Sequence, residues 1–448
     1  MPDDTIAKLV LETFHRIAAG VPAYRILLSE AGIAPDEIES MADFVRLPVL
    51  DKQNTFRRFP IEELCLDGKL GRLASVLTSS GHSKVFAFGL TEAEAQPGVV
   101  QWIDDLLDML FAVRAKPTLL INCLPMGVKV HTEACTLAEV SVRPDMAIGL
   151  IQAFGRHFTQ IILVGEAAFV KLLLESGAEA GIDWPTYRVH VILGEEPLAE
   201  NARKYLQEIL GIDWRSPDGG IVCSSMGVGE VGLNLFSEVP PLAPLMILRR
   251  VLHEDARLRA AVFGPVDVVP SLFTFDPHRI FVEFDSDGRL LLTTLDPRLR
   301  LPLIRYATGD CGAFLQIPDE LVPALEEAGV SCRLLGQVPI VAIHGRGHHA
   351  TADGGHVYPE AVKEGIYFDP ALARLTTANF RLVSGPERVR IRIQLSPGIV
   401  PSSEIEKKFA SAISHYVRGL FDVVCESYET FGSGMALDYE RKFDYLGR

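Results

Sequence analysis

Clustered positive charge is what this 448-residue sequence most clearly lacks: 43 Lys and Arg stand against 58 Asp and Glu, a formal net charge of -15 at pH 7. Nucleic-acid binding rests on neutralising phosphates with grouped cations. No such group is present, so a polyanionic partner is not expected, and the acidic balance is expected to serve solubility. Long hydrophobic runs are missing too, since none approaches the roughly 18 residues that cross a bilayer. The opening residues Met1-Pro2-Asp3-Asp4-Thr5 lack the basic start and apolar core of a secretory signal. Together these absences predict a cytoplasmic protein with no membrane partner.

Cysteine pairs are also lacking. Seven Cys residues lie scattered from Cys65 to Cys425 with no C-x-x-C spacing, which excludes a disulfide framework and points to reduced, buried thiols. Cys123, His131 and Cys135 are the grouping with metal-ligand chemistry, and a helix would set His131 and Cys135 on one face at i, i+4. The remainder of a tetrahedral zinc set is not identifiable, so core packing is the expectation for these thiols.

What is present is ordinary globular composition, 48% hydrophobic and 23% charged, with length for a large domain and a smaller one. Apolar positions Ile6, Leu9, Val10, Phe14 and Ile17 predict helices with short breaks over residues 5–45. From residue 118 short apolar runs alternate with amphipathic stretches. Strands are expected at 118–122, 160–164, 188–193 and 221–223, with helices at 167–176 and 198–210. That alternation means βαβ units and a largely parallel sheet. Residues 281–284 and 290–295 flank Asp285-Ser286-Asp287-Gly288 and read as a hairpin, hence a small antiparallel subdomain. Beyond Gly345-Arg346-Gly347, where glycines permit large backbone rotations, a compact α+β tail is expected, with strands at 389–395 and 423–428 around a helix at 403–421. Gly-Ile-Asp-Trp occurs at 181–184 and 211–214 without matching surroundings and is no repeat.

Several segments carry chemistry. In Arg305-Tyr306-Ala307-Thr308-Gly309-Asp310, a strand ending in Thr-Gly-Asp offers one fixed carboxylate to a vicinal diol such as ribose, and Arg346 downstream can reach the same sugar or its phosphates. Thr78-Ser79-Ser80-Gly81-His82-Ser83-Lys84 lies between two apolar runs, where backbone N–H groups and hydroxyls can face phosphate oxygens and Lys84 adds charge. Gly194-Glu195-Glu196-Pro197 follows a strand and precedes a helix, the position at which open α/β sheets bind ligands. Ser224-Ser225-Met226-Gly227-Val228-Gly229-Glu230 forms a further Gly-rich loop after a strand. Each alone also suits a plain turn or helix start.

In order and spacing these segments resemble phenylacetate-CoA-ligase-like members of the AMP-dependent synthetase and ligase (adenylate-forming) superfamily, and the likeness covers most of the chain. Leu47-Pro48-Val49-Leu50-Asp51-Lys52 resembles the lead-in to that family's phosphate loop. The resemblance implies an α/β fold, with a large multi-sheet N-terminal domain over 1–343 and a small mobile α+β C-terminal domain over 346–448. It implies nucleotide binding by Ser79, Ser80, Gly81, Ser83, Gly194, Glu195, Glu196, Ser225, Met226, Gly227, Asp310 and Arg346, with Gly347 and His348 at the hinge. It further implies catalysis by Lys84, Glu230 and Lys442, with Glu230 binding the Mg²⁺ of ATP and Lys442 swung in by the small domain.

The implied reaction is ATP-dependent activation of an aromatic or other small organic acid to an acyl-adenylate, then a thioester with coenzyme A. Transfer to a carrier protein or another nucleophile, and a nucleotide-binding relic without ligase activity, are the alternatives; a homodimer is the family expectation. The sequence departs from the pattern in places. The phosphate loop is short and carries His82, Met226 stands at the usual aromatic, and Gly229 replaces a hydroxyl residue. His348 and His349 stand for two carboxylates, which would make the hinge responsive to pH near neutrality.

Overall fold

The computed structural model describes residues 4–79, 85–125, 128–194, 196–214, 216, 219–238, 242–347, 349–352, 355–431 and 444–446. The chain opens with α1 (Asp4–Gly20), α2 (Pro22–Glu30) and the short α3 (Met41–Phe44). Ile6, Val10, Phe14 and Ile17 form the buried face of α1, as their spacing requires. β1 (Leu73–Thr78) and β2 (Phe88–Glu92) then pair antiparallel as a separate ribbon, and α4 (Gln96–Phe111) follows.

The βαβ units come next: β3 (Thr118–Asn122), β4 (Thr136–Glu139), α5 (Pro144–Phe154), β5 (Gln160–Gly165), α6 (Ala167–Glu179), β6 (Val189–Leu193), α7 (Glu200–Leu210) and β7 (Val222–Val228). Every residue of β3 and β5 is buried, because helices cover both faces of a parallel sheet. After β7 the chain builds β8 (Gly232–Ser237), α8 (Leu242–Glu254), α9 (Ala256–Phe263), β9 (Ser271–Phe275), β10 (Ile280–Phe284), β11 (Arg289–Thr294), β12 (Tyr306–Phe314), α10 (Val322–Glu327), α11 (Cys332–Leu335) and β13 (Ile340–Gly345). β10 and β11 form the expected antiparallel hairpin. The hairpin is continuous with the parallel strands through β7, giving one 11-stranded sheet of order β10-β11-β12-β13-β9-β8-β7-β6-β5-β3-β4.

Past Gly345 come β14 (Ala350–Ala352), β15 (Gly355–Val357), α12 (Pro359–Ile366), α13 (Pro370–Ala373), β16 (Thr376–Val383), β17 (Val389–Leu395), α14 (Ser403–Ile413) and β18 (Phe421–Glu426). β16, β17 and β18 make a three-stranded sheet, with β18 parallel to β17 across the α14 crossover. The last helix stops at Ile413 and does not reach residue 421. Beyond it Tyr416 turns inward, where its hydroxyl accepts from Asn201 Nδ2 at 2.8 Å and its ring stacks on His253.

This C-terminal body packs on α6 and α7, and the core is continuous across the boundary: Leu173 and Leu206 belong to the same buried cluster as Ile366, Phe380 and Phe409. Polar contacts fix the docking. Lys171 of α6, fully buried, donates to the Thr376 carbonyl at 2.7 Å and pairs with Glu175 at 2.7 Å. The N-cap of α7 is Ala199, which offers no side-chain acceptor. Glu364 of α12 supplies one instead, accepting from the Glu200 and Asn201 N–H groups at 2.7 and 2.9 Å, a carboxylate at the positive end of the helix. Among the described residues no helix is long and apolar enough to cross a membrane.

Candidate functional site

A cavity of about 420 Å³ opens where β1, β6, β7, β12 and the start of α12 converge. Its wall brings together Ser79, Gly194, Glu196, Ser225, Met226, Gly227, Glu230, Asp310 and Arg346, residues spread over most of the sequence. Ser80, Gly81, Ser83, Lys84, Glu195, His348 and Lys442 lie outside the described residues.

Asp310 is aimed by a bulge. β11 and β12 pair Leu291 with Ala307 and Arg289 with Cys311, so residues 308–310 stand opposite Leu290 alone. Gly309 takes the turn at φ +90°, and the strand then resumes to Phe314, so it does not end at Thr-Gly-Asp as expected. Cys311 is in register with Gly345 on β13. That register sets Arg346 beside Asp310, Nε to Oδ1 at 3.6 Å, with Asp310 mostly buried and Arg346 part-exposed. Gly345 and Gly347 both have positive φ, and at Gly345 a Cβ would lie 2.6 Å from the Glu360 carboxylate.

Glu230 sits in the tight connection between β7 and β8, where Val231 N–H closes on the Val228 carbonyl at 2.8 Å. Its carboxylate is buried and held at Oε1 by the Tyr306 hydroxyl at 2.5 Å and by Lys52 Nζ at 3.4 Å. Burial, then the charge of Glu230, pushes the Tyr306 phenol well up, so it stays a donor. The departure at Gly229 has a steric basis: a Cβ there would meet the Thr78 carbonyl at 3.2 Å and Ser79 Cα at 3.3 Å. On the other side, a Cβ on Gly89 would lie 2.5 Å from the Gly229 carbonyl. The ribbon and the Glu230 loop are thus in backbone contact.

Lys52 ends the Leu47–Lys52 lead-in, a segment whose motif assigns it no chemistry. The lead-in that carries it forms a parallel bridge at Leu50↔Tyr306, through Leu50 N to Arg305 O at 3.1 Å and Ala307 N to Leu50 O at 2.8 Å. Arg305 secures it further, donating to the Val45 and Leu47 carbonyls at 2.6 Å each. The lysine that ends the Leu-Pro-containing lead-in was the available signal; the bridge that gives it meaning is not visible in sequence.

Glu196 receives two groups from the C-terminal body: Lys363 Nζ at 2.5 Å and the Tyr445 hydroxyl at 2.8 Å, both on Oε2. Tyr445, half-buried beside this carboxylate, has its phenol raised well above the usual range by loss of solvent around the hydroxyl and then by the charge of Glu196. Glu360, one turn before Lys363, keeps some surface along the cavity, yet its carboxyl lies deep enough that burial raises its pKa, with Lys363 opposing and Glu196 and Asp310 adding to the rise. Ser79 closes the neck of the phosphate-loop segment, its N–H on the Ala87 carbonyl at 2.9 Å and its Oγ accepting from Ala87 N–H at 3.0 Å. Met226 lines the cavity on β7 and packs on the cluster around Phe236.

The zinc grouping does not assemble. Cys123 is buried in the core, its thiol pushed up to about 12 by burial, and residues 131–135 are extended chain and bends, not a helix. Among the described residues no three His, Cys, Asp or Glu side chains converge as a metal site. His349 turns toward Gly347, its Nδ1 2.8 Å from that carbonyl, and packs on His356 with ring centroids 4.2 Å apart.

No family model matches the chain. It is 22% identical over 431 residues to a phenylacetate-coenzyme A ligase of Aromatoleum evansii, covering 91% of this chain and 86% of that protein. Among solved structures it superposes on a 2-hydroxyisobutyryl-CoA ligase in the postadenylation state, in complex with 2-HIB-AMP, with a TM-score of 0.68 at 13% identity, covering 100% of this chain and 90% of that one. Against the same ligase with 2-HIB-AMP and CoA in the thioesterification state the TM-score is 0.54 at 14% identity, over 95% of this chain and 87% of that one. The fold is that of the 2-hydroxyisobutyryl-CoA ligase, and the sequence is similar to that of a phenylacetate-coenzyme A ligase over most of its length.

Proposed function

We propose that this chain is an AMP-forming acid–CoA ligase. The observation that carries the reading is the convergence of Asp310, Arg346, Glu230 and Glu196 on one cavity at the junction of the two bodies. In the first half-reaction a substrate carboxylate oxygen attacks the α-phosphorus of ATP. An O–P bond forms, the bond to the β-phosphate bridge breaks, and acyl-adenylate and pyrophosphate result. In the second, the CoA sulfur attacks the acyl carbonyl, AMP leaves, and the thiol proton is released.

Asp310, held out by its bulge, accepts hydrogen bonds from the ribose diol, and Arg346 releases Asp310 to face the nucleotide phosphates. The residues fit a magnesium ion: Mg²⁺ is commonly held by one or two carboxylates with substrate phosphates completing the shell, and Glu230 offers a carboxylate at the cavity wall. When bound, the ion would neutralise phosphate charge as the leaving group departs. Lys52 reaches Glu230 at 3.4 Å, so it can move from that carboxylate to a phosphate oxygen as ATP enters. Lys84 and Lys442 are the further cations the family pattern assigns to this step.

Residues from 346 onward would rotate as a unit between the half-reactions, exchanging the Lys363–Glu196 contact for one with CoA in place. The test is ATP–pyrophosphate exchange across a panel of acids, with and without CoA. Acid-dependent exchange with thioester formation is expected. ATP binding without exchange for any acid would sink the ligase reading in favour of a relic. Exchange that yields no thioester would instead move the acceptor to a carrier protein or other nucleophile.

A further inference from the structure

One arm of the cavity differs chemically from the rest. Ile103, Leu106, Leu107 and Leu110 of α4 line it together with Leu120 of β3 and Ile192 of β6. The four α4 positions follow the i, i+3, i+4, i+7 rule, so a single helix face forms the wall. The opposite face of α4 carries Gln101 and Asp105, exposed and hydrogen-bonded to each other. The arm wall is therefore a committed apolar stripe that a folded chain leaves bordering a void.

Rings are placed elsewhere. Among the described lining residues the aromatic side chains are Phe273 on β9 and Tyr445 near the chain end, neither on the α4 side. Flat aromatic acids gain from edge-to-face or stacked neighbours; branched aliphatic walls give dispersion contact to any alkyl chain without such geometry. The charged lining residue on this side is Lys129, exposed in the segment beside Val128 and Val130, a position suited to a rim.

We infer that the acid this site activates carries a straight aliphatic chain of medium length, seated along the α4 face with its carboxylate toward the Asp310–Glu230 end. The inference rests on the adenylation reading for its chemistry, though not for the binding. From Ile103 to Leu110 the helix face runs roughly 10 Å at 1.5 Å per residue, which matches an extended chain of roughly eight carbons. Burying each methylene strengthens binding about three- to fourfold.

The experiment uses straight-chain acids of two to twelve carbons beside phenylacetate, benzoate and 2-hydroxyisobutyrate. Direct binding is measured by calorimetry in the presence of AMP, and turnover by ATP–pyrophosphate exchange. Expected are dissociation constants falling about three- to fourfold per methylene to roughly eight carbons and then levelling. Leu110→Trp, which fills the arm, should move the optimum several carbons shorter, and Leu110→Ala should move it longer. If Leu110→Trp fails to fold, Leu106→Phe provides the same narrowing.

Chain-length-dependent binding without exchange supports the aliphatic arm while removing the adenylation reading. Exchange that runs best with phenylacetate or benzoate, or that is flat with chain length, overturns the arm and leaves adenylation standing. Binding of none of these acids overturns the arm as well. An optimum unmoved by Leu110→Trp, Leu110→Ala and Leu106→Phe alike also overturns it.

Discussion

Lys52 and Glu230 meet across the cavity floor at 3.4 Å, on the same carboxylate oxygen that the Tyr306 hydroxyl holds at 2.5 Å. An ammonium and a divalent ion cannot both claim that oxygen at short range. If Glu230 carries the magnesium of ATP, Lys52 is its resident competitor. Lys52→Met should therefore lower the Mg²⁺ concentration that half-saturates ATP–pyrophosphate exchange severalfold. Lys52→Arg should leave it near the starting value. Loss of the phosphate-facing charge should also reduce the exchange rate by about 10-fold or more. A Mg²⁺ dependence identical in Lys52→Met and the unmodified chain would remove Lys52 from this role.

The bulge that projects Asp310 makes a sharper prediction about affinity than about stability. Asp310→Asn keeps the shape and the backbone but removes the charge that strengthens hydrogen bonds to a diol, worth about 1.5–3 kcal/mol, or roughly 10- to 100-fold in the KM for ATP. Its salt-bridge partner Arg346 is part-exposed, so the cost to the fold should stay under about 1 kcal/mol. Denaturant unfolding alongside ATP kinetics separates the two. A large stability loss with unchanged KM would make Asp310 structural.

Glu360 introduces a pH dependence with a definite sign. Its carboxyl is raised chiefly by burial, with Glu196 and Asp310 pushing the same way and Lys363 opposing. A group whose folded pKa lies above its unfolded value adds stability that is complete below the ordinary carboxylate pKa, near 4.3. That stability is lost as pH rises through the raised folded value. Glu360→Gln should flatten this part of the stability curve and make the chain more stable than the parent at pH 7–8. Urea midpoints from pH 4 to 8 check it; parallel curves for the two proteins would contradict it.

Where periodicity and local chemistry suffice, the sequence was readable. Strands 118–122 and 389–395 match to the residue, because a short apolar-centred run and an alternating one leave little choice of extent. The helix expected to reach residue 421 ends at Ile413, since Tyr416 is drawn to Asn201 and His253, a tertiary contact that propensity cannot carry. The site divides the same way. Asp310, Arg346 and Glu230, each picked out from a local motif, do line one cavity. Lys52, Lys363 and Tyr445 were not legible, since each gains its partner only through a bridge or docking face formed by distant chain. Leu106 and Leu110 stand in no motif and drew no reading from the sequence; only the folded chain sets them together on one cavity wall.

Two buried carboxylates on the same helix neighbourhood distinguish docking from folding. Glu238 pairs with Arg203 at 2.5 Å and accepts from Ser224 N–H at 2.7 Å, within a network that also holds Glu200 and Arg249. All of its members lie between residues 200 and 249, ahead of the C-terminal body. Glu364 instead reaches from α12 to the first turn of α7. Glu238→Gln should cost about 3–5 kcal/mol of global stability, because it leaves the buried guanidinium groups of Arg203 and Arg249 sharing the single carboxylate of Glu200. Glu364→Gln should cost less globally, as the N–H groups it leaves can be reached by water once the C-terminal body lifts. Its effect should appear locally, as faster amide exchange confined to the start of α7, to α12 and to β16. The same variant should shift catalysis toward the state with the C-terminal body released, lowering adenylation relative to thioester formation from supplied acyl-adenylate. Equal global losses in the two variants, with no local exchange difference, would mean the two bodies fold and move as one.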